Sequence, residues 1–212
     1  MTAATDLLDG LRGEQEVFKQ SMKAKLEETL PKYIEALLQE KKGDIVYWKQ
    51  YAPAFNDGEP CEFGVHEETI LSLSPENFVA NVDKAWTAAL EYNKLYKLYG
   101  NRYGDHTKDL ISPEKARSLV SQHDHSLRED SVRLRLNRWV ALLEGDAVED
   151  EDVSYHIDGS NRLSLLESGT GTAILSWFPD QMKAMFGESC IVIAYRDEDG
   201  KIKFETKEYY HE

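Results

Sequence analysis

The chain has 212 residues and a formal net charge of −14 at pH 7, with an apolar share of 41%. This length suits one domain, or one domain with a helical extension, and the apolar share is large enough for a core. The acidity argues against general binding to the nucleic-acid backbone, and no run approaches the roughly 18 apolar residues of a membrane span. The two distant cysteines are typical of reduced thiols in a cytoplasmic protein.

Residues 5 to 42 have the pattern of a long helix. Pro31 is expected to kink it or to begin a second helix at its first turn. Two interpretations stay open: the helix packs on the domain's own sheet, or residues 1–43 form a helical arm that pairs with another subunit beside an α+β domain over residues 44–212. The apolar stripe is Phe18, Met22, Leu26, Leu30, Ile34, Leu37 and Leu38.

Residues 45 to 66 predict a β-hairpin with a long connection. Two aromatic and β-branched runs flank a loop that contains Pro53, Pro60 and the turn-forming sequence Asn56-Asp57-Gly58. The first run alternates, with Tyr47 and Tyr51 on one face and Trp48 on the other. Tyr51 and Asp57 are candidate ligand contacts, although Asp57 is a turn former first.

The sequence WKQYAPAFNDGEPCEF over residues 48–63 resembles a W-x-Q-Y-x-P-x-F-N-D-G-x-x-C-x-F segment of uncharacterised proteins, mainly from tailed bacteriophages. No activity is attached to that segment. The resemblance implies a viral origin, with which a host-directed accessory or inhibitory role is associated, and it implies nothing about chemistry.

Ser74-Pro75-Glu76 predicts the start of a helix that runs to about Tyr99, because a capping hydroxyl, a proline and an acid stand in order. Its last turns carry a tyrosine stripe. Such stripes are usually core, and a base-stacking platform is the alternative. The stripe is Tyr92, Tyr96, Tyr99 and Tyr103.

A second start at Ser112-Pro113-Glu114 predicts a short helix to about Ser121, and the capping box Ser126-Leu127-Arg128-Glu129 predicts another helix to residue 143 or 144. His123-Asp124-His125 then falls in the loop between them. In an extended loop the two imidazoles could share a metal with Asp105 or His106, but two are too few for a confident site, and polar loop residues are the preferred interpretation.

Arg128, Arg135 and Arg138 stand at steps of seven and three and are expected on one helix face. Pairing with the chain's surplus acids is the preferred interpretation. The alternative is a phosphate-containing ligand or an acidic partner, since guanidinium forks suit phosphate or carboxylate groups, and this face is then the preferred anion site.

The last third predicts a flexible turn over residues 168–172, a helix over about 179–186 and a second hairpin. Residues 190–195 are apolar on both faces, as in a strand inside a sheet, and residues 201–209 alternate. A strand over residues 153–158 is also predicted. Two strands bury too little to be stable alone, so both hairpins are placed in one antiparallel sheet, covered on one side by helices, which makes the fold α+β.

No catalytic set, metal site or cofactor motif is visible in the sequence. The first function class is therefore a non-enzymatic binding protein that acts through a protein partner or as a homo-oligomer. The alternative is binding or processing of a nucleotide-like or other phosphate-containing ligand through the arginines and tyrosines.

Overall fold

The computed structural model describes residues 3–53, 61–99, 105–108, 110–129, 131–144, 163–171 and 173–209. Two short 3-10 helices, Leu163–Leu166 and Ala173–Trp177, supplement the main elements. These are α1 (Ala3–Lys41), β1 (Ile45–Tyr51), β2 (Gly64–Leu71), α2 (Pro75–Tyr99), α3 (Pro113–Glu129), α4 (Val132–Glu144), β3 (Glu167–Thr170), α5 (Pro179–Phe186), β4 (Cys190–Arg196) and β5 (Ile202–Glu208).

The strands form one antiparallel sheet in the order β3-β2-β1-β4-β5. The two predicted hairpins, β1–β2 and β4–β5, meet through β1 and β4, so that Val46 lies opposite both Ile70 and Ala194. The predicted α+β fold, with sequence-distant hairpins in one antiparallel sheet, is confirmed.

Both faces of this sheet carry a hydrophobic core. On face A, defined by Ile45 and Tyr47, the sheet packs against α2 and α4. On face B, defined by Val46 and Trp48, it packs against α1 and α5. The prediction of helices on one side only is therefore wrong. Because β1 and β4 are apolar on both of their faces, a single helical layer would leave half of their side chains in water.

Gln50 is the polar centre of the core on face B and is fully buried. Its Oε1 accepts a hydrogen bond from Trp48 Nε1 at 3.2 Å, and its Nε2 donates to the carbonyl oxygens of Met182, at 3.3 Å, and Gly187. These bonds fasten the end of α5 to β1 and satisfy polar atoms that burial would otherwise penalise. The spacing Trp48-x-Gln50 therefore has a structural role.

α1 is one continuous helix of 39 residues, which corresponds to a length of about 58 Å. Pro31 lies inside it, so the prediction that Pro31 begins a second helix is wrong. The helix ends where Lys42 adopts a positive φ of 53° and Gly43 N donates to Leu38 O at 3.0 Å. This geometry satisfies a carbonyl group of the last turn.

α3 and α4 differ from the prediction at their junction. α3 continues to Glu129, so His123-Asp124-His125 lies in a helix and not in a loop. No Gly or Pro follows Pro113 in this stretch, and nothing local stops the helix at Ser121. Ser131 caps α4 instead, since its Oγ accepts a hydrogen bond from Leu134 N at 3.4 Å. The predicted capping box at Ser126 is wrong.

Residues 167–170 form the edge strand β3, where a flexible turn was predicted. Thr170 pairs with Thr69, and Ser168 Oγ donates to Ile70 O at 3.2 Å. The predicted strand over residues 153–158 lies outside the described residues.

Candidate functional site

The three predicted arginines do not share a helix. Arg128 lies in α3, and its side chain is outside the described part of the structure. Arg135 and Arg138 lie in α4, and both are half-buried. The prediction of one common helix face is therefore wrong for Arg128, since α3 and α4 are separate helices.

Arg135 lines a pocket of about 780 Å³ between the start of β1 and helices α2, α3 and α4. A pocket of this volume is typical of small-molecule sites, which measure about 300–1,000 Å³. The lining combines cationic, acidic, hydroxyl and apolar side chains. The cations are Lys42 and Arg135, the acids Asp44, Glu76 and Asp83, the hydroxyls Ser72 and Ser74, and the apolar residues Leu73, Pro75, Val79, Ala80 and Val120.

Arg135 is only partly satisfied in this pocket. Its Nη2 lies 3.5 Å from Asp44 Oδ1, which is long for a charged hydrogen bond. The other oxygen of Asp44 accepts a hydrogen bond of 2.7 Å from Leu73 N. Among the described residues, Arg135 Nε is buried without a hydrogen-bond partner. Asp83 is paired with Arg117 at 3.0 Å.

Tyr51, another predicted contact, belongs to a different cluster. Its ring centroid lies 4.4 Å from that of His66 and 5.4 Å from that of Tyr209, and Lys49 Nζ lies 5.2 Å from the Tyr209 centroid. Tyr51 is the last residue of β1, whereas the pocket lies at the first, about 20 Å away along the strand. The structure therefore does not bring Tyr51 and Arg135 together. Asp57 lies outside the described residues.

Glu68 is a partly buried acid that sequence reasoning missed. Tyr33 in α1 donates a hydrogen bond of 3.3 Å to Glu68 Oε1, and Oε2 is buried without a partner in the described part of the chain. Burial raises the pKa of this carboxyl from 4.5 to about 7, although the bond from Tyr33 opposes the rise. In the sequence, the one indication that Glu68 is unusual is that an acidic residue stands within the pattern of a strand.

The first half of α1 has a continuous exposed surface over residues 10–21, here called the exposed segment. Leu11, Val17 and Phe18 in it are 62%, 68% and 65% exposed. Further along the same helix Leu30 and Ile34 are fully buried on face B of the sheet. The helix therefore packs on its own sheet at one end and presents apolar side chains to solvent at the other.

The tyrosine stripe of α2 reaches the surface at Tyr92, so its assignment to the core is wrong for that residue, while Tyr103 and the side chain of Tyr99 lie outside the described residues. Tyr92 is 56% exposed, its ring lies 6.2 Å from that of Tyr96, and Tyr96 stacks on His106 at 5.0 Å. Asp105 holds the loop here, and hydrogen bonds, first of all from Thr107, lower its pKa to about 2.

Among the residues that the structure describes, no group of three or more His, Cys, Asp or Glu side chains could hold a metal ion. Within the same ranges, no helix has the length and apolarity needed to cross a bilayer. Comparison with protein-family models, with curated proteins and with solved structures gives no match.

Proposed function

We propose that the protein is a non-enzymatic binding protein that self-associates by pairing the exposed segment of α1 with the same segment of a second copy. The observation that supports this most directly is the exposure of Leu11 and Phe18, seven residues apart on one helix. Residues 10–21 amount to about three turns, and an isolated helix of this length is marginal in water. Association would bury apolar side chains that the protein's own core leaves exposed.

The sequence of the segment fits a parallel two-helix pair. Leu11 and Phe18 stand seven residues apart and Met22 follows four later, which gives d, d and a positions of a heptad repeat. Glu14 then falls at g and Lys19 at the following e, so the two would form ion pairs across a parallel pair. In an antiparallel pair e faces e′, and Lys19 would meet another cation, Arg12.

Intramolecular contacts leave Lys19 available for this role. Its Nζ lies 4.0 Å from Asp180 Oδ2, and the two side chains are 44% and 74% exposed. An exposed ion pair at this distance contributes little, at most about 1 kcal/mol. An interhelical pair with Glu14 could replace it at small cost.

Sedimentation equilibrium over a range of concentrations tests the proposal. The native chain should show a monomer–dimer equilibrium, and Leu11→Glu and Phe18→Glu should each shift it to monomer, because a charge would enter the apolar seam. Leu134→Glu is the matched control, since Leu134 is also exposed, at 43%, but lies in α4. A native chain that is monomeric at every concentration would refute self-association.

Charge reversal tests the orientation separately. Glu14→Lys alone and Lys19→Glu alone should weaken the dimer, because each places like charges together, and the double variant should restore it. Additive weakening in the double variant would contradict the parallel arrangement while leaving self-association standing.

The cytoplasmic location and the phage association are further parts of this proposal. Cys61 is exposed, Cys190 is buried, and both are free thiols, as is common in a reducing compartment. A host-directed role stays a prediction from the resemblance of residues 48–63. It would require a protein partner that competes for, or adds to, the same exposed helix.

A further inference from the structure

We infer that the pocket at Arg135 binds a small organic monocarboxylate, a molecule with one carboxylate and a short apolar body. The pocket lies between β1, α2, α3 and α4, and its lining includes no residue of the exposed segment. It is therefore a second binding site, independent of the pairing of α1.

The polar end of the pocket favours a carboxylate. Arg135 presents a planar fork that matches two carboxylate oxygens, and its Nε has no partner in the described part of the chain. Nε itself is buried, but Arg135 lines the pocket with a side chain that is 21% exposed, so the guanidinium can meet an acceptor that enters the pocket. Asp44, at 3.5 Å, holds the guanidinium only loosely.

The α2 end of the pocket adds hydroxyl groups beside the guanidinium. Ser72 and Ser74 both line the pocket, and Ser74 is the first-turn cap of the 25-residue helix α2, because its Oγ accepts from Asn77 N at 3.4 Å. Ser74 Oγ already donates to Glu76 Oε2 at 3.4 Å, so it is the Ser72 hydroxyl proton that can donate to a bound oxygen, and the positive end of the helix dipole favours an anion there.

The charge balance of the lining limits how much negative charge a ligand can bring. Asp83 is already paired with Arg117, which leaves Lys42 and Arg135 against Asp44 and Glu76, so the remaining lining is neutral. A monocarboxylate adds one negative charge beside Arg135, whereas a diphosphate or triphosphate would add several and be repelled by both acids. A nucleotide is therefore a poorer fit to this pocket than a short carboxylic acid.

The rest of the lining selects an apolar body. One wall is formed by side chains that cannot donate or accept hydrogen bonds, and each buried methylene of a ligand would contribute about 0.8 kcal/mol there. Affinity should accordingly rise with chain length until the pocket is filled. The wall consists of Leu73, Val79, Ala80 and Val120.

Calorimetric titration of the full chain with hexanoate, with hexanamide, inorganic phosphate and ATP as comparisons, tests the inference. Hexanoate should bind, hexanamide should bind at least about tenfold more weakly because it lacks the charge, and phosphate and ATP should not compete with it. No heat from hexanoate, or displacement of hexanoate by ATP, would overturn the assignment.

Two variants locate the binding. Ala80→Trp fills the pocket from an exposed position on α2 and should abolish the binding of hexanoate without touching Arg135. Arg135→Lys should weaken it about tenfold, since lysine lacks the bidentate fork, whereas Arg133→Lys, outside this pocket, should not change it. Unchanged affinity in Ala80→Trp would refute the site. Leu11→Glu should bind hexanoate normally, which separates this result from the test of self-association.

Discussion

Glu68 should make the packing of α1 on the sheet depend on pH. Burial raises the pKa of this carboxyl from 4.5 to about 7, so the folded state holds the proton more tightly than the unfolded chain. The resulting contribution to the free energy of unfolding is complete below pH 4.5 and is lost as the pH rises through about 7. Glu68→Gln removes the titration and keeps an oxygen that can accept the hydrogen bond from Tyr33.

The size of the effect follows from the two pKa values. At about 1.36 kcal/mol per pKa unit, the interval from 4.5 to about 7 sets an upper bound of about 3 kcal/mol. Because the carboxyl is only half-buried, solvent screening reduces the expected value to about 1 kcal/mol. In a chain of 212 residues this corresponds to a shift in Tm of about 3 °C.

Urea unfolding of the native chain and of Glu68→Gln at about pH 5 and about pH 8 measures this difference. The variant should match the native chain at the lower pH and exceed it in free energy of unfolding at the higher pH. Glu198→Gln, at an exposed turn, is the control that should change neither value. If Glu68→Gln followed the same pH profile as the native chain, Glu68 would not be the group responsible.

Two further substitutions test the packing of the sheet. Gln50→Leu should lower the free energy of unfolding by about 2–4 kcal/mol in urea titrations, because it leaves buried partners unsatisfied, whereas Gln39→Leu on the exposed side of α1 should change it by less than about 0.5 kcal/mol. Gly43→Ala should lower the free energy of unfolding by about 1–3 kcal/mol, because a Cβ there would overlap the Ile70 side chain. Gly13→Ala is the control and should not destabilise the fold, since Gly13 has open space around it. Equal Tm values for the two alanine variants would contradict this account.

The sheet and several helix ends could be predicted because their signals are local. Residues 190–195 of β4 are apolar at successive positions, which is typical of a strand covered on both faces. The start of α2 could likewise be predicted from Ser74 and Pro75, which act on adjacent backbone groups. In each case the information lies within one element.

The remaining features depend on residues that are distant in sequence. Glu68 is buried because Tyr33 of α1 lies over β2, and Arg135 faces Asp44 because α4 packs near the start of β1. A rule based on the spacing of residues within one segment cannot predict these contacts.

The pairing of β1 with β4 has a consequence for biosynthesis. Residues 45–50 of the central strand pair with residues 190–195. One edge of the first hairpin therefore has no native partner until the ribosome has made the chain as far as about residue 195. A nascent chain therefore presents an open strand edge with apolar residues on both sides, which favours misassembly between ribosome-bound copies. The delay in completing the sheet comes from the order of the strands in the chain and not from weak packing. Production at low temperature or with a holdase chaperone should therefore raise the yield of folded protein.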